Sequence, residues 1–355
     1  MKVTGSDYLV FDKEAGVWRE DPEQVVRDDV EKHYWKHVGL AIIKDWRLYL
    51  MLVPMLLVFL FWRYFPMYEL LRSFKVALGE AEPVHERAFL GFSNYKALLV
   101  GAGQAAGDAA NFWRAMRNTF LLSFYGLCFG FPMPIIIALF FNEIRSNAAR
   151  SIYQVTTYLP KFMSTVIMTS LVVMLVKQGN ASSNVGPGVV AQLLANLGLV
   201  SEKAAWDGLL NKPEYFRAIY QITGIWETAG YDSIVFFAAI IGISPTSYEA
   251  AQIDGANKWS QMRYVVLPSI LSTIVIMLIT RIGSMLSIGY EKVLLLTERQ
   301  QTGVQETAQV VSLFSWYHPN KGYAAAAEML NNVVGMLLVI GANTIARRAS
   351  NVSLY

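Results

Sequence analysis

Few residues in this chain have the type and spacing to do chemistry, and most of them are charges set inside apolar segments. Glu227 follows Trp226, with Tyr231 and Asp232 close behind it, and Arg281 stands deep in a later apolar run. An ionisable side chain at membrane depth is expensive unless it faces a cavity or a partner, so each of these marks a path or an internal ion pair. Glu227 and Arg281 fit both roles, since they can pair with each other, pair with another subunit or meet a solute. Arg63, Lys161 and Lys177 lie near the ends of apolar runs, where long stems carry the charge to the interface. Bond-breaking constellations are missing: the chain has no GxxxxGK[ST] phosphate loop, no paired carboxylates, no Ser-His-Asp set and no Cys/His cluster. His33 and His37 are four apart, but KHYWKH lacks the acidic partner of an HExxH zinc site. The single cysteine, Cys128, sits in an apolar run and is expected to be a buried, inert thiol. No catalytic, cofactor or metal residue is expected on this chain.

A second constellation is geometric. Between two long apolar segments the chain reads EAAQIDGANKWSQMRYVVLP, residues 249–268. Thr246 followed by Glu249 has the spacing of a capping box, which predicts a helix start there. Asp254-Gly255 predicts its end, because glycine takes the left-handed conformation of a helix C-terminus. A second short helix is expected over Ala256 to Tyr264, with Trp259, Met262 and Val266 sharing one face. Pro268 disfavours helix at Leu267 and opens the next apolar segment. Ala250 and Ala251 are small enough for another surface to approach closely.

The elements that must position these residues are membrane helices. The chain is 355 residues long, 54% hydrophobic and only 16% charged, with mean hydropathy +0.34, against roughly 25% charged in ordinary soluble domains. A net charge of +3, scattered along the chain, does not argue for nucleic acid. Six apolar runs near 48–68, 117–141, 155–176, 218–243, 268–288 and 324–346 each approach the roughly 20 residues a bilayer core demands. Pro54, Pro66, Pro132, Pro134 and Pro160 predict kinks, and Pro160-Lys161 interrupts the third run. Gly126 and Gly130 form a GxxxG of the kind that packs helices closely.

Residues 1–47 carry eight Lys or Arg and open without a cleavable signal peptide. Val26, Val30, Tyr34, Val38 and Ile42 recur every fourth residue, which predicts an amphipathic helix along the membrane interface. With this segment inside, the cytoplasmic side also holds Arg145, Arg150, Lys258, Arg263, Arg347 and Arg348. The outer loops, 69–116, 177–217 and 289–323, carry their basic residues, Lys292 among them, over a longer length. GAGQAAG at 101–107 follows no strand and reads as a flexible loop; 179–188 is a turn-rich stretch.

Glu249, Ala250, Ala251, Asp254, Gly255, Ala256, Leu267 and Pro268 together resemble the EAA loop of binding-protein-dependent ABC importer permeases. Met262 departs from the pattern, which usually carries Phe there. WRLYLMLVPMLLVFLFWRYFPMYELLRSF (46–74), GFSNYKALL (91–99), FWRAMRNTFLLS (112–123), TTYLPKFMSTVI (156–167) and GYEKVLLL (289–296) look like the polysaccharide-type sugar permeases of that superfamily. The resemblance implies an all-α polytopic membrane protein of the type I ABC importer permease fold. It would comprise a cytoplasmic segment 1–47 with its interfacial helix, a permease domain 48–348 with six spans and a coupling loop 244–268, and a cytoplasmic tail 349–355.

The resemblance also implies partners: a second homologous permease, two ATPase subunits holding ATP and Mg, and an extracytoplasmic solute-binding protein. Glu249, Ala250, Ala251, Asp254, Gly255, Ala256, Trp259 and Met262 would then couple to the ATPase, and an oligosaccharide would be imported across the bacterial inner membrane with both termini cytoplasmic. Trp226, Glu227, Tyr231, Asp232, Arg281 and Tyr290 are the candidates for the substrate path, since an aromatic face beside a hydrogen-bonding group suits a sugar ring. An excess of basic groups at depth would suit an acidic sugar. The same machine for a peptide or another solute, and an integral membrane enzyme acting on lipid-linked sugar, are the alternative readings.

Overall fold

The computed structural model describes residues 9–12, 17–20, 34–75, 88–101, 106–180, 182, 185–297 and 304–350. His33, Val26, Val30, Arg87, Arg299 and most of the GAGQAAG stretch lie outside these, as do the side chains of Trp18 and His37. The chain divides into two compact units, residues 1–68 and 69–355.

In the first unit, β1 (Leu9–Asp12) and β2 (Val17–Glu20) pair antiparallel, Leu9 facing Glu20 and Asp12 facing Val17. The all-helical expectation did not foresee this hairpin, although LVFD and VWRE hold the β-branched and aromatic residues that favour strands. Helix α1 (Tyr34–Lys44) carries the C-terminal half of the expected amphipathic stripe, and α2 (Trp46–Phe59) begins the first apolar run. No side chain of α2 is buried, as suits an apolar helix whose surroundings are lipid or another chain.

In the second unit, α3 (Ser93–Val100) leads to α4 (Ala106–Tyr125), which passes through a π turn at Gly126–Gly130 into α5 (Pro132–Glu143). Ala106 and Gly107 therefore begin a helix rather than a loop, and Cys128 is exposed on the chain surface rather than buried. The third apolar run is two helices, α6 (Asn147–Tyr158) and α7 (Thr165–Val176), bent by 99° between Phe162 and Thr165. Met163 is extended there, and the Ser164 hydroxyl accepts the Ile167 N–H at 3.3 Å, so a new helix is capped where the sequence predicted one span. Short helices α8 (Val189–Asn196) and α9 (Glu202–Asp207) precede α10 (Pro213–Ile241), the long helix against which α5 packs most extensively. The hairpin that follows contains α11 (Pro245–Ile253) and α12 (Lys258–Gln261). A π turn (Met262–Val266), α13 (Leu267–Ser269) and α14 (Leu271–Gly283) continue from it. The chain closes with α15 (Tyr290–Leu296), α16 (Gln305–Ala308), α17 (Val311–Tyr317) and α18 (Lys321–Ser350).

Four helical stretches, 46–74, 106–143, 213–241 and 321–348, are long and apolar enough to cross a membrane, and six result when each bent pair counts as one span. Three prolines share one device. Pro66, Pro132 and Pro268 each sit two residues beyond a π turn, at Leu60–Tyr64, Gly126–Gly130 and Met262–Val266. A proline ring clashes with the carbonyl four residues back, and that residue (Trp62, Cys128 or Tyr264) is the centre of the widened turn in every case. Leu267 accordingly stays helical (φ −59°, ψ −43°), contrary to the expected break; the 63° bend comes three residues later, at Ile270.

The apolar interior lies in three clusters. Leu122, Val176, Phe216, Val293 and Leu296 hold one end of α4, α7, α10 and α15; Leu98, Phe112, Val311 and Phe314 join α3, α4 and α17; Phe236, Ile240, Val266 and Ile270 seat the hairpin's base against α10. Helices α6 and α10 cross so closely that a Cβ on Gly230 would stand 2.2 Å from the Thr157 carbonyl oxygen.

Candidate functional site

A cavity of about 300 Å3 opens between α4 with its π turn, α10 and the segment joining α14 to α15. Its charged lining residues are Glu227, Arg281 and Lys292. The sequence leaves Glu227 free to pair with Arg281, with another subunit or with a solute; in the structure Glu227 Oε2 accepts the Lys292 Nζ at 2.7 Å, both side chains being less than a fifth exposed. Lys292, read as an outer-loop residue, thus faces the cavity. Its ammonium also stands 5.4 Å from the centre of the Tyr220 ring, within cation–π range. A Cβ on Gly126 or Gly130, the GxxxG pair, would stand at ordinary contact distance from Gln221 or Ile225 of α10, and both glycines line the cavity.

What turns Lys292 inward is the break in the helix before it. Residues 284–289 are outside any helix, and side chains from three other helices hold this connection by its carbonyls. Ser123 of α4 donates to Met285 O, Asn331 of α18 to Leu286 O at 3.0 Å and Ser312 of α17 to Ile288 O at 2.7 Å. Non-helical backbone at membrane depth is tolerated where it is buried in protein or lines a cavity, and this one lines the cavity.

The other candidates are spread around this centre. Asp232 borders a second cavity of about 160 Å3 that shares Gly130, Arg281 and Ser284 with the first. Tyr231 is edge-on to Phe162 at 5.8 Å, Trp226 is half exposed beyond the cavity wall, and Tyr290 stacks on Trp316 at 4.4 Å. The structure therefore brings Glu227 and Arg281 together, adds Tyr220, Gln221 and Lys292, and leaves Trp226, Tyr231 and Tyr290 out of the first cavity's wall. Nothing in the sequence signalled Tyr220 or Lys292 beyond their positions within or just past an apolar run. Among the described residues no group of three or more His, Cys, Asp or Glu is placed to hold a metal.

The second site is the hairpin. Its first helix ends as expected: Gly255 is left-handed at φ +75°, its N–H donates to Gln252 O at 3.0 Å, and the Ala256 N–H donates to Ala251 O at 2.8 Å. Those two bonds are a Schellman motif. The start differs. Ser244 holds the N-cap position of α11 without a side-chain cap bond, Pro245 follows at the first position, Thr246 bonds the Ser244 hydroxyl at 2.7 Å, and Glu249 is exposed in mid-helix rather than closing a capping box. Asn257 caps α12 by accepting the Ser260 N–H at 2.8 Å.

Trp259, Met262 and Val266 do not form one buried face: Trp259 is 69% exposed, Met262 is half-buried and Val266 is in the core, because the π turn rotates them apart. The tip presents Ile253 at 86% and Tyr264 at 70% exposure, so it is apolar and uncovered. At the base, burial raises the Tyr248 phenol above its ordinary value, while Lys258 reaches Glu143 of α5 at 3.4 Å.

The family described as "Binding-protein-dependent transport system inner membrane component" matches residues 130–291, which hold the whole hairpin and most of the cavity wall. "Protein LplB" of Bacillus subtilis (strain 168) is 33% identical over 318 residues, covering 89% of this chain and 93% of that protein. The chain belongs to this permease family. The permease is also 31% identical to "Polygalacturonan/rhamnogalacturonan transport system permease protein YteP" of Bacillus subtilis (strain 168), over 92% of its own length and 95% of the relative. Among solved structures it is similar to a chain of a bacterial ABC transporter involved in the import of the acidic polysaccharide alginate. That likeness has a TM-score of 0.73 and 36% identity over 88% of the permease and 99% of the solved chain. A chain of the same transporter in complex with alginate pentasaccharide-bound periplasmic protein matches with the same TM-score and identity, over 91% of the permease. An ABC importer permease carries the helical, polytopic architecture described above, and as an inner membrane component it accounts for the apolar, unburied α2.

Proposed function

We propose that the permease carries an acidic oligosaccharide across the inner membrane by alternating access, with the hairpin 244–268 as the contact for a partner ATPase and the cavity around Glu227, Arg281 and Lys292 as part of the sugar path. The observation that carries this reading is a covalent one. The hairpin, with its exposed Ile253, Trp259 and Glu249, runs through α13 into α14, and α14 reaches the cavity at Arg281 thirteen residues after Pro268. A push on the hairpin is therefore delivered to the cavity wall along about 15 Å of helix, at 1.5 Å per residue from Leu271 to Arg281.

This chain makes no chemical step of its own. ATP and Mg belong to two partner ATPase subunits, whose closure moves the hairpin; a second permease completes the path, and a solute-binding protein delivers the sugar from outside. Both termini and the hairpin then face the cytoplasm, the side on which Arg145, Arg150, Lys258, Arg347 and Arg348 stand. The amphipathic α1 would lie along that interface. The substrate class is supported by the relatives, whose names speak of polygalacturonan, rhamnogalacturonan and the acidic polysaccharide alginate, and by two cations against one carboxylate in the cavity.

Uptake by proteoliposomes holding the complete complex tests this, with ATP inside and binding protein outside. Accumulation of uronate oligosaccharides above their outside concentration is expected; accumulation of peptides instead, or of nothing, would contradict the reading.

A further inference from the structure

The ion pair between Glu227 and Lys292 has no evident need to be ionic. A buried pair is weak evidence for stability, because two apolar residues of similar volume usually serve as well or better. This one is also not sealed in the interior: both side chains form part of the wall of a cavity of about 300 Å3, the lower end of the size range of ligand pockets. The ammonium has room around it. Gly224 faces it, and a Cβ there would stand 3.7 Å from Nζ, while the Tyr220 ring covers another side. Arg281 lines the same cavity, and among the described residues it forms no salt bridge. The first cavity thus holds two cations for one carboxylate, and the Asp232 carboxylate lies across Arg281 in the neighbouring cavity.

We infer that Glu227 is a resident counter-ion, which holds Lys292 between transport cycles and yields that ammonium to a carboxylate of the passing sugar, with Arg281 as the second cation of the anion subsite. The inference rests on the importer reading above and gives it a residue-level mechanism for preferring acidic sugars. Exchange of one carboxylate for another at Lys292 keeps the ammonium paired throughout, so the sugar enters without leaving a bare charge in the cavity wall. The exchange also makes retention weak, because Glu227 stays beside the site to reclaim Lys292 as the sugar leaves. A neutral sugar meets Glu227 and Lys292 already satisfied by each other and gains little from them.

The test compares uptake of a uronate trisaccharide with that of its carboxyl-reduced, neutral counterpart by the complete reconstituted complex. Each rate is normalised to the wild type so that selection by the binding protein cancels. Arg281→Gln and the double variant Glu227→Gln with Lys292→Gln should each lower the acidic-to-neutral ratio about tenfold, the scale of one charge-assisted hydrogen bond. Neutral uptake should persist in both. Glu227→Gln alone should lower the KM for the acidic sugar, since its competitor is gone. The double variant leaves no unpaired buried charge, so assembly of the complex, checked by size-exclusion chromatography, does not hide the outcome. An unchanged ratio in both charge-removing variants, with neutral import intact, would overturn the inference and make the pair a packing strut. A wild type that imports neither sugar would overturn the importer reading itself, and the inference with it.

Discussion

Lys292 shows how the meaning of a charge depends on where its backbone ends. In the sequence it follows the fifth apolar run and reads as an outer-loop cation; in the structure the connection at 284–289 folds back and sets it 2.7 Å from Glu227. The carboxylate and Arg281 were legible because they interrupt apolar runs, whereas their partner was not, because nothing in Ser284 to Gly289 announces that three hydroxyl and amide side chains elsewhere will hold its carbonyls. Single removal of Glu227 leaves a buried ammonium uncompensated. Glu227→Leu should therefore lower the stability of the complex by about 3 kcal/mol, and Glu227→Leu with Lys292→Met should recover most of that loss. Thermal unfolding of the purified complex checks both values. Equal destabilisation by the double variant would show that the pair matters for its shape rather than its charge. Gly255 was legible, since a residue free of a Cβ adopts φ +75° without strain and lets both bonds of the helix end close.

At the scale of the element, hydropathy located every apolar run but not how each one bends. Pro268 was expected to stop a helix at Leu267; instead the preceding turn widens to a π turn and the helix continues to Ile270. A π turn inserts one residue, so it rotates everything before it by about 100° relative to everything after it. Pro268→Ala removes the ring that favours the widened turn. The account expects the hairpin to rotate relative to α14 and uptake to fall severalfold with assembly unchanged, which transport assays on matched preparations would reveal. Wild-type uptake in that variant would mean that the turn has another cause. The α6–α10 crossing makes the opposite kind of prediction. Gly230→Ala places a methyl against the Thr157 backbone, which cannot move as a side chain can, and should cost about 1–3 kcal/mol in thermal unfolding of the complex. Gly126→Ala, whose Cβ meets only Gln221 at 3.6 Å, should be near neutral.

For the whole molecule, composition alone pointed to a polytopic membrane protein, and the spacing of EAA, DGA and LP marked the hairpin that we propose meets the ATPase. Pro160 announced a kink in the third run, but not a bend of 99° between Phe162 and Thr165, because the capping Ser164 lies within a run that hydropathy averages over. The β1–β2 hairpin was not legible, because strands of four residues give too short an alternation to stand out beside the charges and helical period of residues 1–47. The exposed tip of the hairpin carries the assembly prediction: if it is the ATPase contact we propose, Trp259→Asp should weaken co-purification of the ATPase subunit by at least about 2 kcal/mol, as loss of a buried aromatic anchor does at an interface. Pull-down at graded ATPase concentration reads this directly, and undiminished capture would place the contact elsewhere.

The central claim, that nucleotide-driven movement reaches the sugar path through this hairpin, is tested most directly by ATPase activity of the reconstituted complex with uronate-loaded binding protein. The wild type is compared with Gly255→Pro, which can neither adopt φ +75° nor donate the bond to Gln252. The account predicts stimulation by loaded binding protein in the wild type and its loss in the variant, with the complex still assembled. Equal stimulation in both would contradict it.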